Sequence, residues 1–441
     1  MNSLFSIVKD ALQHNKLTRD IVWSMASFFV LAISGIVINT TIAGFRDAAA
    51  LGVFNLAYAI YIVASQLAVW GIHYSVLRYA AYYREDTKSR ETMFYTAVTL
   101  GLSLGVIAAL TLYILAPSLG RVFQSDSTGS AIQLASIGLL LFPLNKILLA
   151  YLNGLREIKA FSVLQAARYV AVMAGVSIVA SSSISIEFAT LAFFFGECIT
   201  TTGSIIVLAR KRLTGTPHFS IDWMKRHFLF GTKGLAGGMF AEFNSRIDVL
   251  LIGFFLTDYA TGIYSFAAML VDGLYHIIAM IRLNFNPILV TAVKDAQWSG
   301  AQALMRQTRR LIVPFVASLA LCIVCTYYAL ATWFLPGKGL IEGLPSLLIL
   351  LTGVVVTSSF IPFDNLMVVS GHPGFQAIQQ IGAVTANAGF AIVLLPLIGV
   401  EGAATGTALS YISNVLILYI LTRRMLGWNL ISNSVRPNSN R

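Results

Sequence analysis

The sequence predicts an all-α polytopic membrane protein with twelve transmembrane helices in two six-helix lobes. Of its 441 residues, 57% are hydrophobic and only 11% are Asp, Glu, Lys or Arg, whereas soluble domains carry about 25% charged residues. This composition excludes an ordinary soluble globular protein. The apolar residues form continuous blocks without the period-2 alternation of membrane β-strands, and we therefore predict helices rather than a β-barrel.

Twelve apolar blocks are long enough to span a membrane, because about 20 helical residues cross the hydrocarbon layer. They cover residues 21–42, 51–72, 94–115, 132–152, 161–181, 188–208, 228–256, 262–289, 311–333, 344–369, 375–397 and 402–421. The first block is longer than the apolar region of a signal peptide, and we expect it to be a retained anchor. An even number of spans places both termini on one side.

The Lys and Arg residues of the loops lie almost entirely on the side that holds the termini. Basic clusters occur there at residues 9–19, 84–90, 156–159, 210–226, 294–310 and 423–441. The opposite side has only Arg46, Arg121 and Lys338. Loops rich in Lys and Arg stay in the cytoplasm, so we predict that both termini are cytoplasmic.

The longest internal loop divides the spans into six and six. We predict an N-terminal lobe at residues 1–209, a cytoplasmic linker at 210–227 and a C-terminal lobe at 228–441. The halves carry a weak repeat, in which residues 51–57 (LGVFNLA) align with residues 261–267 (TGIYSFA). Parallel repeats of six spans are typical of transporters whose polar pathway lies between the lobes.

Eleven charged residues lie within or at the ends of the predicted spans. The cations are Arg78, Lys146, Arg168, Lys233, Arg246 and Arg282, and the acids are Glu197, Glu242, Asp248, Asp272 and Asp364. A charged side chain at a helix centre costs about 2.5–3.5 kcal/mol on insertion scales. We therefore expect these side chains to face protein or water rather than lipid.

The two signs of charge suggest two roles. Fixed cations in a cavity of low dielectric suit an anionic group such as a pyrophosphate, because an arginine can bind phosphate oxygens in bidentate fashion. We predict that the six cations bind substrate. Carboxylates inside a membrane suit a coupling cation, H⁺ or Na⁺, and we predict that the five acids serve ion coupling. Structural ion pairs between helices are the alternative for each residue.

No motif indicates catalysis. The sequence contains no GxxxxGK[ST] phosphate loop, no HExxH and no paired CxxC, which are the patterns of ATP and zinc sites. The net charge of +11 does not indicate nucleic-acid binding, because the basic residues lie between apolar blocks. We therefore expect a protein that is not an enzyme, without catalytic residues, cofactor, metal or nucleic-acid partner.

Two stretches carry a family resemblance. Residues 51–58 (LGVFNLAY) and 71–78 (GIHYSVLR) resemble the second span of Wzx-type polysaccharide flippases, which handle O-antigen, capsule or exopolysaccharide repeat units. Residues 246–253 (RIDVLLIG) and 261–265 (TGIYS) resemble the start of that family's second lobe. These flippases belong to the multidrug/oligosaccharidyl-lipid/polysaccharide exporter superfamily, and the twelve-span layout extends the resemblance over the whole chain.

The resemblance implies a flippase of the bacterial cytoplasmic (inner) membrane that works by alternating access. Its expected substrate is an undecaprenyl-diphosphate-linked oligosaccharide, moved from the inner to the outer leaflet. The family's cationic cavity is matched here by Lys146, Arg168, Arg246 and Arg282. Membrane lipids, H⁺ or Na⁺ as coupling ion, and the polysaccharide polymerase machinery are the other expected partners.

Two other functions stay open at the level of the sequence. A cation-coupled multidrug exporter of the same superfamily has the same number of spans. A membrane-embedded glycosyltransferase or polysaccharide polymerase is disfavoured by the short external loops, because such enzymes commonly display a catalytic segment on a long one.

Overall fold

A computed structural model describes residues 16–294 and 298–435, most of which are helical. The helices before the predicted linker are α1 (Lys16–Phe45), α2 (Ala48–Val69), α3 (Ile72–Tyr82), α4 (Thr87–Val122), α5 (Asp126–Ser136), α6 (Phe142–Gly154), α7 (Ile158–Ser181) and α8 (Leu191–Arg210). Those after it are α9 (Ile221–Asn244), α10 (Ile247–Phe255), α11 (Asp258–Lys294), α12 (Ser299–Gln307), α13 (Val313–Ala329), α14 (Leu344–Thr357), α15 (Leu366–Val369), α16 (Pro373–Ile398) and α17 (Val400–Met425).

The helices confirm a multi-pass, all-α membrane protein. Within the described residues, ten helical segments are long and apolar enough to cross a membrane. The number becomes eleven when α5 and α6, which are bent by 42° relative to each other, are taken as one span. These eleven segments overlap eleven of the twelve predicted blocks. The block predicted at residues 344–369 is shorter in the structure, because its helix ends at Thr357 and is followed by a 3₁₀ turn at Ile361–Phe363 and by α15.

The remaining block, residues 228–256, is not one continuous helix. α9 ends at Asn244 and α10 begins at Ile247, with Arg246 between them. Neither helix is among the candidate spans found in the described part of the chain, because α9 is rich in charged residues and glycine and α10 has only nine residues. Broken helices of this kind occur in membranes where the freed backbone is covered by protein or faces a cavity.

The bend between α5 and α6 has a local cause. A 3₁₀ turn at Ile137–Leu140 follows α5, and α6 then starts at Phe142 with Pro143 in its first turn. Proline has no N–H and is tolerated in the first turn of a helix but not in its interior. The helix therefore restarts here, which brings Asn145 and Lys146 into the beginning of α6.

The described chain forms two compact units. The first consists of the chain up to Arg46 together with Leu56–Met239, and the second of Asp47–Asn55 together with the chain from Phe240 onward. The division after Met239 lies beyond the linker at residues 210–227 that the sequence suggests. The lobe boundaries stated above stay a prediction.

Buried contacts explain why the start of α9 belongs to the first unit. Trp223 is 8% exposed and packs in the same core cluster as Tyr151. The ring of His227 is fully buried, with Nδ1 2.8 Å from Ser75 Oγ and Nε2 3.1 Å from the backbone oxygen of Met93. These contacts attach α9 to α3 and α4.

The two segments aligned by the sequence repeat contact each other inside the second unit. A Cβ atom on Gly52 would lie 1.7 Å from the backbone oxygen of Asp258, and one on Gly262 would lie 1.8 Å from that of Ala48. Only glycine allows two helix backbones to come this close, and small residues are favoured where membrane helices cross. The repeated glycine is therefore a packing requirement.

After α17 the described residues form a short β-hairpin, which the sequence does not predict. Two short antiparallel strands, β1 (Trp428–Asn429) and β2 (Ser434–Val435), pair after α17. Trp428 is fully buried, with its ring 5.6 Å from that of Trp298 and 5.8 Å from that of Phe363. The hairpin thus completes an aromatic cluster of the second unit.

Candidate functional site

Glu197 on α8 is the centre of a polar cluster in the first unit, although only 3% of it is exposed. Its Oε1 lies 3.2 Å from Nη1 of Arg168 on α7. Its Oε2 accepts a hydrogen bond from Nδ2 of Asn145 on α6 at 2.7 Å. A buried ion pair needs such additional hydrogen bonds to offset desolvation, and this one connects three successive spans.

Both polar atoms of the Asn145 side chain are occupied. Nδ2 also donates to the backbone oxygen of Glu197 at 2.8 Å, and Oδ1 accepts from the hydroxyl of Thr201 at 2.9 Å. Asn145 is completely buried. The orientation of its amide is therefore fixed, and the amide in turn fixes one oxygen of the Glu197 carboxylate.

An aromatic ring lies beside two of the predicted cations. The ammonium of Lys146 is 5.5 Å from the centre of the Phe142 ring, and the guanidinium carbon of Arg168 is 5.6 Å from the same centre. Tyr61 contacts this ring edge-on at 5.8 Å. Cations held near an aromatic face keep their charge at low desolvation cost, so Lys146 and Arg168 together form a half-buried cationic site.

Two other predicted cations lie on the surface. Arg78 is exposed, with its guanidinium carbon 5.2 Å from the centre of the Phe230 ring, and Lys233 on α9 is exposed as well. No hydrogen bond or ion pair joins either residue to the Glu197 cluster among the residues that the structure describes. The structure thus does not bring Arg78 and Lys233 into that cluster.

In the second unit, Asp248 takes part in a buried network. Its Oδ2 accepts a hydrogen bond from the hydroxyl of Tyr264 on α11, and its Oδ1 accepts from its neighbour's backbone N–H. The Tyr264 oxygen is 3.3 Å from Thr407 Oγ1 on α17, which is 3.3 Å from Asn387 Oδ1 on α16. A chain of hydrogen-bonding groups thus runs from the Asp248 carboxylate through three further helices.

Asp364 forms a second network in the same unit. Its Oδ1 accepts from Nε2 of Gln379 and from Nδ2 of Asn414, both at 2.8 Å. Its Oδ2 is 3.7 Å from Nη1 of Arg282 on α11. Within the described residues, Nε of Arg282 is buried without a hydrogen-bond partner, so this guanidinium retains an unused donor.

Asp272 on α11 differs from these two acids. It is half-buried and lies within electrostatic range of Arg246 and Asp248. No hydrogen bond to its carboxylate is found in the described ranges. Glu242, near the end of α9, is half-buried and interacts electrostatically with His276. Neither Asp272 nor Glu242 is thus held by a hydrogen-bond donor among the described residues, in contrast to Asp248 and Asp364.

The sequence matches a known protein family. Residues 42–337, about two thirds of the chain, match the family described as polysaccharide biosynthesis protein. The chain belongs to this family. Teichuronic acid biosynthesis protein TuaB of Bacillus subtilis (strain 168) is 24% identical over 215 residues, which are 47% of this chain and 41% of that protein. The match therefore spans less than half the length of this relative.

Solved structures show the same fold for this member of the polysaccharide biosynthesis protein family. A multidrug resistance MATE family transporter of the MOP superfamily, in an inward-facing conformation, has a TM-score of 0.74 at 14% identity, covering 92% of this chain and 96% of that one. Lipid II flippase MurJ, in an inward closed conformation, has a TM-score of 0.74 at 13% identity, covering 91% and 87%. The chain thus has the fold that its resemblance to Wzx-type flippases of this superfamily implies.

Ion pairs join four of the eleven predicted site residues of this family member in the described part of the chain. Arg168 and Glu197 form an ion pair in the first unit, and Arg282 and Asp364 form one in the second. Arg78 and Lys233 stand apart from these pairs on the surface. The assigned roles in substrate binding and ion coupling stay predictions.

Sequence reasoning missed the uncharged partners. Asn145, Thr201, Tyr264, Gln379 and Asn414 complete the networks around Glu197, Asp248 and Asp364. A search for charged residues passes over them. The available signal was the presence of Asn and Gln within apolar blocks, since a buried amide requires hydrogen-bond partners.

Proposed function

We propose that this protein is a flippase of the cytoplasmic membrane that moves oligosaccharides linked to polyprenyl diphosphate from the inner to the outer leaflet. Membership of the polysaccharide biosynthesis protein family supports a saccharide substrate, and the likeness to transporter folds supports movement across the membrane. The proposal includes cytoplasmic termini, in agreement with the predominance of basic residues in the loops on that side.

The observation that carries the proposal is the cationic site formed by Lys146 and Arg168 next to Phe142. Two half-buried cations at the start of α6 and in α7 offer positive charge within the membrane-spanning part of the fold. A diphosphate cannot cross hydrocarbon unaided, because desolvating an ion costs far more than burying a neutral polar group. Fixed cations offset this cost for the head group while the lipid tail stays in the bilayer.

Cation coupling is the second part of the proposal. No ATP-binding motif is present in the sequence, and moving one elementary charge down a membrane potential yields about 2.3 kcal/mol per 100 mV. Asp272 is the first candidate for this role, because its half-buried carboxylate has no hydrogen-bond donor among the described residues and lies within electrostatic range of a second acid, Asp248. Glu242 and Asp248 lie on neighbouring helices of the same unit and are the next candidates.

The experiment uses the full chain in proteoliposomes loaded with a fluorescent, polyprenyl-diphosphate-linked oligosaccharide. A membrane-impermeant quencher measures how much of the probe changes leaflet. We expect rapid exchange with the wild type and a loss of exchange per folded molecule with Arg168→Ala and Lys146→Ala. The mass of the glycan should stay unchanged, whereas a glycosyltransferase or polymerase would alter it.

Drug export is the second candidate function, favoured by the likeness to a multidrug resistance transporter. The same vesicles test it with a lipophilic cationic dye in place of the lipid-linked probe. Dye efflux that depends on an ion gradient, without exchange of the lipid-linked probe, would contradict the flippase proposal and favour the exporter.

A further inference from the structure

The clusters around Glu197 and Asp364 each contain an acid, an asparagine and an arginine. The spans that carry the acid and the asparagine are exchanged between the two units. In the first unit the carboxylate of Glu197, on the sixth predicted span, accepts from Asn145 Nδ2 on the fourth at 2.7 Å. In the second unit the carboxylate of Asp364 is on the tenth span and accepts from Asn414 Nδ2 on the twelfth at 2.8 Å. Under a six-span repeat, the tenth and twelfth spans correspond to the fourth and sixth. Acid and amide have therefore changed places.

In both clusters the arginine faces the carboxylate oxygen that the asparagine does not use, although Arg168 lies on the fifth predicted span and Arg282 on the eighth, which do not correspond in the repeat. Arg168 Nη1 is 3.2 Å from Glu197 Oε1, the oxygen that Asn145 does not use. Arg282 Nη1 is 3.7 Å from Asp364 Oδ2, the oxygen that Asn414 does not use. In each unit one carboxylate oxygen thus faces an amide and the other faces an arginine.

Each amide is itself held by a further donor. The hydroxyl of Thr201 donates to Asn145 Oδ1 at 2.9 Å, and Nε2 of Gln379 donates to Asn414 Oδ1 at 3.0 Å. A carboxylate with one oxygen fixed cannot rotate about its last bond without breaking that hydrogen bond. The direction of its second oxygen, and with it the position of the arginine, is therefore set by the amide.

We propose that Asn145 is a positioning residue that orients Arg168 toward the diphosphate of the substrate, and that Asn414 orients Arg282 in the same way within the second unit. This inference rests on the proposed function. A guanidinium has five N–H donors, and the contact with the carboxylate uses only Nη1 of each arginine, which leaves further donors for phosphate oxygens. Bidentate binding of phosphate demands a defined guanidinium plane, which a carboxylate fixed at one oxygen supplies.

The test measures equilibrium binding of a short-chain polyprenyl diphosphate to the purified full chain. We expect Arg168→Ala and Asn145→Leu each to weaken binding about tenfold, the scale of one hydrogen bond to a charged group. The double variant should bind no more weakly than Arg168→Ala, because Asn145 acts through that arginine. Asn414→Leu with Arg282→Ala repeats the test in the second unit.

A milder pair of variants covers the case in which Asn145→Leu fails to fold. Thr201→Val removes the hydroxyl that holds the Asn145 amide, and we expect it to weaken binding about threefold, as for a neutral hydrogen bond. Thr200→Val is the matched control, because Thr200 is buried on the same helix but, within the described part of the chain, its hydroxyl donates only to the backbone oxygen of Gly196. Binding by Thr200→Val should be unchanged.

The outcomes separate this inference from the proposed function. A wild type that does not bind the diphosphate overturns both. A wild type whose binding depends on Arg168 but is indifferent to Asn145→Leu and Thr201→Val overturns the positioning role alone. The positioning role is also overturned if the losses of affinity from Asn145→Leu and Arg168→Ala multiply in the double variant. Multiplied losses would mean that Asn145 acts independently of the arginine.

Discussion

The guanidinium of Arg168 and the carboxylate of Glu197 form an ion pair at 3.2 Å in the interior of the first unit, with 14% and 3% of their side chains exposed. Removing one partner of a buried pair leaves an uncompensated charge, whereas replacing both by apolar residues is often neutral for stability. Stability and transport should therefore respond differently to changes at these two positions.

We expect Arg168→Met and Glu197→Met each to lower the free energy of unfolding by about 3–5 kcal/mol, as for other broken buried pairs. The double variant should regain most of this stability but none of the transport. Thermal unfolding in detergent gives the first quantity and leaflet exchange of the lipid-linked probe gives the second. Transport by the stable double variant would show that the pair is structural only.

The surface cations offer a comparison with the buried ones. Lys146 is half-buried beside Phe142, whereas Arg78 and Lys233 are exposed. Because solvent screens exposed charges, we expect Lys146→Ala to reduce the exchange rate of the lipid-linked probe far more than Arg78→Ala or Lys233→Ala. Equal losses in all three variants would mean that the cationic site is wider than the Lys146 and Arg168 pair.

The close contact of Gly52 and Gly262 gives a prediction about stability. Gly52→Ala and Gly262→Ala each insert a Cβ less than 2 Å from a backbone oxygen, so the helices must separate. We expect a loss of about 3 kcal/mol or more, at the upper end of overpacking effects, measured as a lower thermal midpoint. Gly389→Ala on α16 is the control, since nothing lies within 4 Å of its added Cβ; a loss as large there would exclude a specific clash.

The helices could be predicted because membrane-spanning backbone must satisfy its hydrogen bonds internally, so a long apolar block is sufficient evidence for a helix. The hydrogen-bond and ion-pair partners of the charged residues could not be predicted. Glu197 is joined to Asn145 and Arg168 by the packing of three helices, and no spacing along the chain encodes that contact. The contact of Gly52 with the helix of Gly262 could not be predicted either, because the alignment of two repeats does not say that they pack against each other.

The break between α9 and α10 could not be predicted from hydropathy either. Residues 228–256 form one apolar block in the sequence but two helices in the structure, divided near Arg246. The terminal hairpin depends on Trp428 packing against Trp298 and Phe363, residues that are distant in sequence. Such contacts are decided by tertiary packing rather than by local composition.

Membrane orientation can be tested with a reporter that is active only outside the cytoplasm. We expect activity when it is fused after Ser127 or Glu342, in the loops with few basic residues, and none when it is fused after Lys88 or Thr216. The physical reason is the retention of Lys-rich and Arg-rich loops on the cytoplasmic side. Activity after Thr216 would contradict the predicted division into six and six spans.

Ion coupling should depend on Asp272 more than on Asp364. The Asp364 carboxylate is held by Gln379, Asn414 and Arg282, so its charge is already compensated within the protein. Asp272 has electrostatic neighbours but no fixed hydrogen-bond donor among the described residues, and a cation that binds it meets less competition. We therefore expect Asp272→Asn to abolish substrate-dependent flux of H⁺ or Na⁺.

Proteoliposomes with an internal pH-sensitive or Na⁺-sensitive dye measure this flux. Asp272→Asn should retain passive exchange of the lipid-linked probe but lose its response to an imposed gradient, whereas Asp364→Asn should chiefly lower the thermal midpoint. Asp222→Asn is the matched control, because Asp222 is exposed at the start of α9. Gradient-driven exchange that survives in Asp272→Asn would show that this residue does not couple transport to the ion gradient. Glu242 and Asp248, its half-buried and buried neighbours in the same unit, would then be the candidates.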